Sequence, residues 1–551
     1  MNAKRNEEPK MKKEIFKGNA KEIFANLYIY IMLCVFPLYF LDLYSEELGF
    51  LFRLGSYLDA AAVKFYFYFW VTVIFALIIF MLSLVNKSLL SDFKRVKINF
   101  VDIAFTAFIL INVISAFISP YNFDIVFWGK DSRFNALALK ILFFLTYIII
   151  TRYSTFKKSY IKWFLLIGTL VSGLGMADYF KMNVLSLKDY LEPWYMNVFY
   201  STIGNINLYS VFAGIYLTVA FILFCKNENL KKSIVLYIFT IIGYLSIVIA
   251  RSDGAYIFIG SMFLFAPLYL FDKSKSVMRY FISLATFFIS TKIIEIINIV
   301  FKDNVIGIND GLFHFLISRG LLNPLLIASI VFLAICIFMQ KFSKFDFSKY
   351  SKTFRISLFV MICVAGIVLV ALFYQCNFKL GRNDVKPFYA PYLTLTDDWG
   401  SGRGYILRRA IPLFSSFPTL NKLFGIGTGG FIHIFNIYFG DETTELYNVY
   451  FDNPHNEYLN VLIATGILGL VSFITFMVGT LIRLIKQSKD NVINFAILFA
   501  FLGYTLNSLI NLDIPTVSPI AYVLLFIALT NCNNFVKSET EENETKLTKK
   551  K

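Results

Sequence analysis

The sequence predicts an all-α polytopic integral membrane protein, with about 12–14 transmembrane helices and one long extracytoplasmic loop that carries short helices. Of its 551 residues, 58% are hydrophobic and only 16% are charged, a composition that excludes a soluble globular chain. Apolar runs of about 20 residues, the length that a helix needs to cross a bilayer, recur from end to end. These runs lie at 24–41, 65–85, 100–119, 136–151, 163–180, 208–225, 233–250, 255–271, 280–300, 321–340, 356–376, 457–482, 492–510 and 520–535.

Lysine and arginine are concentrated in alternate loops, at 87–97, 152–162, 226–232, 273–279, 341–355 and 483–489. Because cytoplasmic loops carry such an excess, we expect these loops and both termini to lie on the cytoplasmic side of the cytoplasmic membrane. The alternation also holds if 280–300 and 321–340 are both removed, so whether these two runs cross fully stays open. The net charge of +16 is explained by this topology, and no nucleic-acid partner is expected.

The polar and apolar stretches divide the chain into five parts. They are a cytoplasmic N-terminal tail (1–22), an N-terminal transmembrane bundle (23–376), a long extracytoplasmic loop with active-site elements (377–454), C-terminal transmembrane helices (455–535) and a charged cytoplasmic tail (536–551). The six cysteines show no paired spacing and the three histidines are scattered. We therefore predict no disulfide framework, no metal site and no cofactor.

Residues 452–459 open the twelfth apolar run and contain one of the three histidines. Asn453 is a suitable N-cap and Pro454 suits the first helical position, which predicts that His455 lies in the first helical turn. The positive end of the helix dipole disfavours the imidazolium there. A neutral His455 could act as a general base, whereas the alternative is an interfacial histidine without a catalytic role.

The loop before this motif is about 77 residues long, which is typical of a functional segment or one with helices of its own. A helix is predicted to begin at Ser401 or Gly402 and to continue until Pro418 stops it. At about 100° per residue, Arg408 and Arg409 point away from Arg403 on either side. For these two arginines we expect contact with headgroups or water rather than catalysis.

A glycine-rich stretch at 424–431 follows this helix, with four glycines in six positions. Glycines allow a close approach or a positive φ, so the backbone N–H groups of such a loop could cradle a phosphate.

Four groups of residues, all on the predicted outer face, form a pattern in chain order. They are Gly129 to Arg133; Gly204, Asn205 and Asn207; Gly402 and Arg403 with Gly425, Gly427 and Phe431; and His455, Asn456 and Leu459 with Gly466 and Gly469. The pattern resembles the O-antigen ligase and O-antigen polymerase superfamily, which includes protein O-oligosaccharyltransferases. The resemblance spans roughly residues 120–530.

One departure concerns the turn at 251–255. The family commonly has Ser-Arg-Gly-Ala there, whereas this chain has Asp253 at the place of the arginine and Arg251 two residues earlier. Arg251 is therefore either a phosphate ligand or the partner of Asp253 or a neighbouring acid in a salt bridge.

The resemblance implies transfer of an oligo- or polysaccharide from undecaprenyl diphosphate to a hydroxyl of a glycan, lipid or protein acceptor, in surface polysaccharide biosynthesis. His455 would take the acceptor proton, and Arg403 with Arg251 would hold the diphosphate. The other substrate-binding residues would be Arg133, Asn205, Asn207, Gly425, Gly427 and Asn456. The implied glycosyltransferase is inverting and independent of metal, and the membrane lipids surround it.

His314 and His433 lie outside the matched motifs, and we predict that neither is catalytic. The competing function is a transporter or flippase of polyprenyl-linked glycans. Such a protein should carry charges in the middle of the membrane and needs no external base.

Overall fold

The computed structural model describes residues 20–40, 60–94, 96–191, 193–309, 311–342, 347–379, 390–400, 402–448, 450–487 and 491–548. Most of the predicted N-terminal tail, the end of the C-terminal tail and part of the long outer loop lie outside these ranges.

The described residues are almost entirely helical. The longer helices are 20–30, Ala60–Val85, Phe100–Ile118, Leu137–Ile148, Lys158–Tyr179, Ile206–Lys226, Leu230–Ile249, Asp253–Phe265, Ser274–Val300, Leu322–Lys341, Ser351–Tyr374, Arg403–Ser415, Phe431–Tyr447, Glu457–Gln487, Val492–Asn507 and Ser518–Thr548. The short helices are Ile31–Val35, Leu89–Lys94, Phe123–Trp128, Lys130–Ser132, Ile149–Tyr153, Leu187–Tyr190, Pro193–Met196, Pro267–Leu270, Gly311–Ser318, Phe347–Tyr350, Gln375–Lys379, Ala390–Leu393 and Thr419–Phe424. The strands Phe199–Tyr200 and Gly204–Asn205 pair antiparallel.

The predicted fold class, an all-α polytopic membrane protein, is confirmed. Each of the fourteen apolar runs coincides with a helix. Within the described ranges, ten helices are long and apolar enough to cross a membrane, or eleven if the bent pair 123–132 and 137–153 is one span. This number is lower than the predicted 12–14 because the apolar helices Val492–Asn507 and 518–533 are shorter. Ser274–Val300 and Leu322–Lys341, whose crossing was open, are both among the ten.

The helix Ile206–Lys226 lies at the centre of the bundle, where 94% of its most apolar 18-residue stretch is buried. Close packing depends on residues without side chains. A Cβ at Gly214 would lie 2.2 Å from the Phe258 ring, and one at Gly168 would lie 2.3 Å from the Tyr216 ring. Small residues at such contacts let membrane helices approach closely.

The helix Glu457–Gln487 is broken at Gly466, which has φ 68° and ψ −169°. A break leaves carbonyl groups of the preceding turn without their helical donors, which is costly inside a membrane. Here the N–H of Ile426 donates to the Ile463 carbonyl at 3.1 Å, and the N–H of Gly427 donates to the Ala464 carbonyl at 3.0 Å. The loop at 424–431 thus supplies the hydrogen-bond donors that the broken helix lacks.

Candidate active site

His455 lies directly before the membrane helix rather than in its first turn. The Asn456 side chain accepts a hydrogen bond of 2.9 Å from the Leu459 N–H, so Asn456 is the N-cap. Asn453 instead accepts a bond of 2.9 Å from the His455 N–H. The sequence-based choice of Asn453 as the cap was therefore wrong, and the predicted substrate-binding residue Asn456 has a capping role.

Contacts with the turn at 507–513 explain why the helix begins where it does. The N–H of Glu457 donates to the Ser508 carbonyl at 2.8 Å and to the Asn511 carbonyl at 3.0 Å. The first N–H groups of a helix have no partner inside it, and this turn supplies carbonyl partners for one of them. The helix start is thereby fixed at Glu457.

His455 adopts a left-handed backbone conformation with φ 48°. Burial, and after it the positive charges of Arg133 and Arg403, lower the pKa of its imidazole to about 4, against the opposing charge of Asp452. The imidazole is therefore neutral at neutral pH and able to accept a proton. The direction agrees with the expectation from the sequence, but its causes are burial and two arginines.

Arg133 reaches the His455 segment from an earlier loop. Its Nε donates to Oδ2 of Asp452 at 2.6 Å, and 43% of its side chain is exposed. The backbone of Arg133 is left-handed, with φ 58°, as is that of Gly129 with φ 62°. This tight turn, which we call the Arg133 loop (129–136), presents the guanidinium beside the histidine.

Arg403 is the first residue of the helix Arg403–Ser415. Its side chain is only 14% exposed, and its Nη1 lies 3.4 Å from Oδ2 of Asp253. Asp253 begins the helix Asp253–Phe265. Two arginines from distant parts of the chain thus flank His455, and each is paired with one carboxylate.

Arg251 makes a different set of contacts. Its Nη1 donates to the Gly307 carbonyl at 3.2 Å, and its Nη2 donates to the Asn197 carbonyl at 2.8 Å. Asp253 pairs with Arg403 rather than with Arg251. Arg251 therefore joins the segments that carry Gly307 and Asn197 to the turn that carries Asp253.

Asn205 and Asn207 support the same turn. Asn205 caps the helix Ile206–Lys226 by accepting from the Asn207 N–H at 2.9 Å. Asn207 Oδ1 accepts from the Ser252 hydroxyl at 2.7 Å. Asn207 thus contacts the residue before Asp253, the carboxylate that pairs with Arg403.

In the glycine-rich loop, the N–H groups of the two predicted substrate-binding residues, Gly425 and Gly427, are bonded within the protein. The N–H of Gly425 donates to the Asn421 carbonyl at 2.7 Å, and that of Gly427 is bonded to Ala464. A Cβ at Gly425 would lie 2.2 Å from the Ala464 backbone. These glycines allow the loop to dock onto the broken helix, so their N–H groups are already occupied.

The other arginines of the outer helix form ion pairs. Arg408 lies 2.9 Å and Arg409 lies 3.3 Å from Oδ1 of Asp397. Arg409 also contacts Glu442 at 2.7 Å and stacks on the Tyr405 ring, 3.5 Å from its centroid. These contacts are with protein groups, and 54% of the Arg408 side chain is still exposed, so the expected contact with headgroups or water stays a prediction.

The two remaining histidines each contact other residues of the protein. His314 Nδ1 is 3.2 Å from the Ile308 carbonyl. His433 Nε2 is 3.7 Å from Asp131, and its ring centroid is 5.4 Å from that of Tyr121. Their lack of a catalytic role stays a prediction.

Sequence reasoning missed a buried charge cluster below His455. Lys140 Nζ lies 2.9 Å from Oε1 of Glu457 and 3.6 Å from Oδ2 of Asp513, and all three side chains are at most 2% exposed. Lys140 falls inside an apolar run, and ionisable residues in such runs are usually paired or functional. That signal could have identified the lysine, although not its partners.

Fold and site together define an all-α polytopic membrane protein in which a neutral histidine stands between two arginines at the end of a broken membrane helix. Residues 312–474 match the family model of the O-antigen ligases. This match confirms the resemblance of the chain to the O-antigen ligase and O-antigen polymerase superfamily. A search of curated proteins gave no significant match. The family supports an activity of the glycosyltransferase kind.

Proposed function

We propose that this protein transfers an oligo- or polysaccharide from undecaprenyl diphosphate to an acceptor hydroxyl on the outer face of the cytoplasmic membrane. The observation that carries the proposal is the neutral His455, beside which Arg133 and Arg403 lie close enough to lower its pKa. His455 and Arg403 both fall inside the ligase match.

In the proposed reaction, the acceptor oxygen attacks the anomeric carbon of the donor while the bond from that carbon to the phosphate oxygen breaks. His455 takes the proton of the acceptor hydroxyl. The lipid diphosphate leaves with the bonding electrons. Guanidinium groups stabilise its charge, because each can donate to two phosphate oxygens at once and stays charged. In-line attack inverts the anomeric carbon, and no step requires a metal.

We assign the diphosphate to Arg133 and Arg403, and we give Arg251 a supporting role because its guanidinium is bonded to two backbone carbonyls. In the free protein, Asp452 forms an ion pair with Arg133, and Asp253 forms one with Arg403. A bound diphosphate would displace these carboxylates and offset the positive field on His455. The pKa of the histidine would then rise, which makes it a stronger base when the donor is present.

Reconstitution in liposomes tests the proposal. The purified protein would be supplied with a glycan on undecaprenyl diphosphate and a hydroxyl acceptor, and both the glycosylated product and the released lipid diphosphate would be measured. We expect transfer by the wild type and a loss of about 10²-fold or more in His455→Ala, as for a general base. His314→Gln is the matched control and should stay within a few-fold of the wild type.

The same liposomes distinguish the competing function. Movement of the lipid-linked glycan across the bilayer, without any transfer to an acceptor and unaffected by His455→Ala, would identify a flippase and overturn the proposal.

The sidedness of the site needs a separate test. In a variant without native cysteines, Lys130→Cys in the Arg133 loop and Lys231→Cys in a basic loop would be treated with a membrane-impermeant maleimide. We expect Lys130→Cys to react in intact cells and Lys231→Cys to react only after permeabilisation. The reverse pattern would place the Arg133 loop in the cytoplasm.

A further inference from the structure

Glu457 is fully buried and receives hydrogen bonds from three residues in two distant parts of the chain. Its Oε1 accepts from Lys140 Nζ at 2.9 Å. Its Oε2 accepts from Asn135 Nδ2 at 3.0 Å and from the Asp513 N–H at 3.1 Å. A carboxylate buried to this degree is retained only where such partners stabilise its charge.

Two of these partners, Asn135 and Asp513, connect Glu457 to different parts of the candidate site. Asn135 belongs to the Arg133 loop, whose turn is closed by a 2.7 Å hydrogen bond from the Phe134 N–H to the Gly129 carbonyl. Glu457 itself lies two residues after His455. The glutamate therefore connects the loop of one arginine directly to the segment of the histidine.

The third connection runs through the 507–513 turn to the other arginine. Glu457 is bonded to this turn through its own N–H and through the Asp513 N–H. The turn packs against Gly254, where a Cβ would lie 2.6 Å from Asn507 Nδ2. Gly254 adjoins Asp253, which pairs with Arg403. Both arginines are thus held relative to His455 by elements that meet at one carboxylate.

We propose that Glu457 is a positioning residue of the transfer reaction, which keeps Arg133 and the Asp253 turn in register with His455. The inference rests on the proposed function, because it concerns the groups that would bind the donor diphosphate and take the acceptor proton. Lys140 supplies the charge that lets the carboxylate remain buried, and Asn135 is the link to the Arg133 loop. Glu457 does not touch the substrate.

Two variants distinguish the hydrogen bond between Asn135 and Glu457 from the negative charge of the Glu457 carboxylate. Glu457→Gln keeps an oxygen for Asn135 and Asp513 but removes the negative charge that faces Lys140. Asn135→Ala leaves the ion pair intact and removes only the bond to the Arg133 loop, so it keeps the test informative if Glu457→Gln does not fold. For both variants we expect the KM for the lipid donor to rise by about five- to tenfold, the effect of losing a coupled contact.

A double-mutant cycle tests whether the effect passes through Arg133. In an Arg133→Ala background, Asn135→Ala should change the donor KM by no more than about twofold, because the guanidinium that it positions is already gone. A purely structural role would instead lower the active fraction equally in both backgrounds and leave the KM unchanged. That result would overturn the proposal.

The matched control is Asp102→Asn. Asp102 forms a 2.6 Å ion pair with Arg152, and both side chains are less than 10% exposed, as in the Glu457 cluster. This pair lies away from the Arg133 loop, at the start of the helix Phe100–Ile118. We expect Asp102→Asn to lower thermal stability without changing the donor KM.

Amide hydrogen exchange provides a readout that does not depend on glycan transfer. In Glu457→Gln and Asn135→Ala, residues 129–136 should exchange faster than in the wild type and in Asp102→Asn. Unchanged exchange there would overturn the positioning role. Faster exchange combined with an unaltered donor KM in Arg133→Ala would support the positioning role and instead contradict the assignment of Arg133 to the diphosphate.

Discussion

Arg403 and Asp253 face each other across 3.4 Å, and this contact joins the outer loop to the beginning of the helix Asp253–Phe265. The arginine is largely buried, whereas 57% of the aspartate side chain is exposed. An exposed carboxylate that is held by a single contact can be exchanged for a phosphate at little cost. In the proposed reaction, this pair would keep Arg403 oriented before the donor diphosphate arrives.

Replacement of Arg403 should weaken donor binding in a graded manner. We expect Arg403→Ala to raise the donor KM by about 10²-fold, and Arg403→Lys to recover only part of this loss, because lysine supplies charge without the planar fork. Donor KM and kcat in liposomes are the measurements. Arg408→Ala, which removes an exposed arginine of the same helix, is the control. Donor binding unchanged in Arg403→Ala would exclude this residue from the site.

Replacement of Arg251 should affect stability rather than donor binding. Arg251→Ala leaves the Gly307 and Asn197 carbonyls without their donor, which we expect to cost about 1–3 kcal/mol in the free energy of unfolding. The donor KM of the folded fraction should be unchanged. Thermal unfolding in detergent and donor KM are measured in parallel. A rise in KM as large as that of Arg403→Ala would make Arg251 a phosphate ligand after all.

The pH dependence of the reaction should reveal the environment of His455. The lowered pKa, about 4, means that kcat/KM stays level as the pH falls below the ordinary histidine value, and decreases only on approach to pH 4. In Arg133→Ala the acidic limb should move to higher pH, because one of the positive charges that oppose protonation of His455 is gone. The acidic limb of kcat should lie at a higher pH than that of kcat/KM, since we expect the bound diphosphate to raise the pKa of His455. An unshifted limb in Arg133→Ala would show that the two residues do not interact.

The break in the membrane helix should depend on Gly466. Its φ of 68° with ψ of −169° is open only to glycine, and a Cβ would lie 2.4 Å from the backbone carbonyl group of Leu423. We expect Gly466→Ala to destabilise the protein by about 3 kcal/mol or more. In contrast, Gly173→Ala should be neutral or stabilising, because that glycine is helical and has open space around its Cβ position. Equal melting temperatures of the two variants would contradict a strained break.

The apolar runs by themselves determined the helices. A segment of about 20 apolar residues inside a bilayer has to satisfy its backbone hydrogen bonds internally, and a helix does so without any other part of the chain. The short polar motif at 452–459 likewise singled out His455, a rare residue type beside capping residues, whereas Arg403 and Arg133 became candidates through the resemblance to the ligase and polymerase superfamily.

Contacts between distant residues were decided only by the tertiary structure. Asn453 and Asn456 are both good caps, and only the bonds from Glu457 to the 507–513 turn show which one begins the helix. The glycine loop has the composition of a phosphate cradle, but the N–H groups of Ile426 and Gly427 bond to a helix that lies about 40 residues further along the chain. The pairing of Asp253 with Arg403 and of Glu457 with Lys140 depends on how helices pack. No local pattern specifies such partners, because their free energy comes from excluding lipid and water at a junction that exists only in the folded protein.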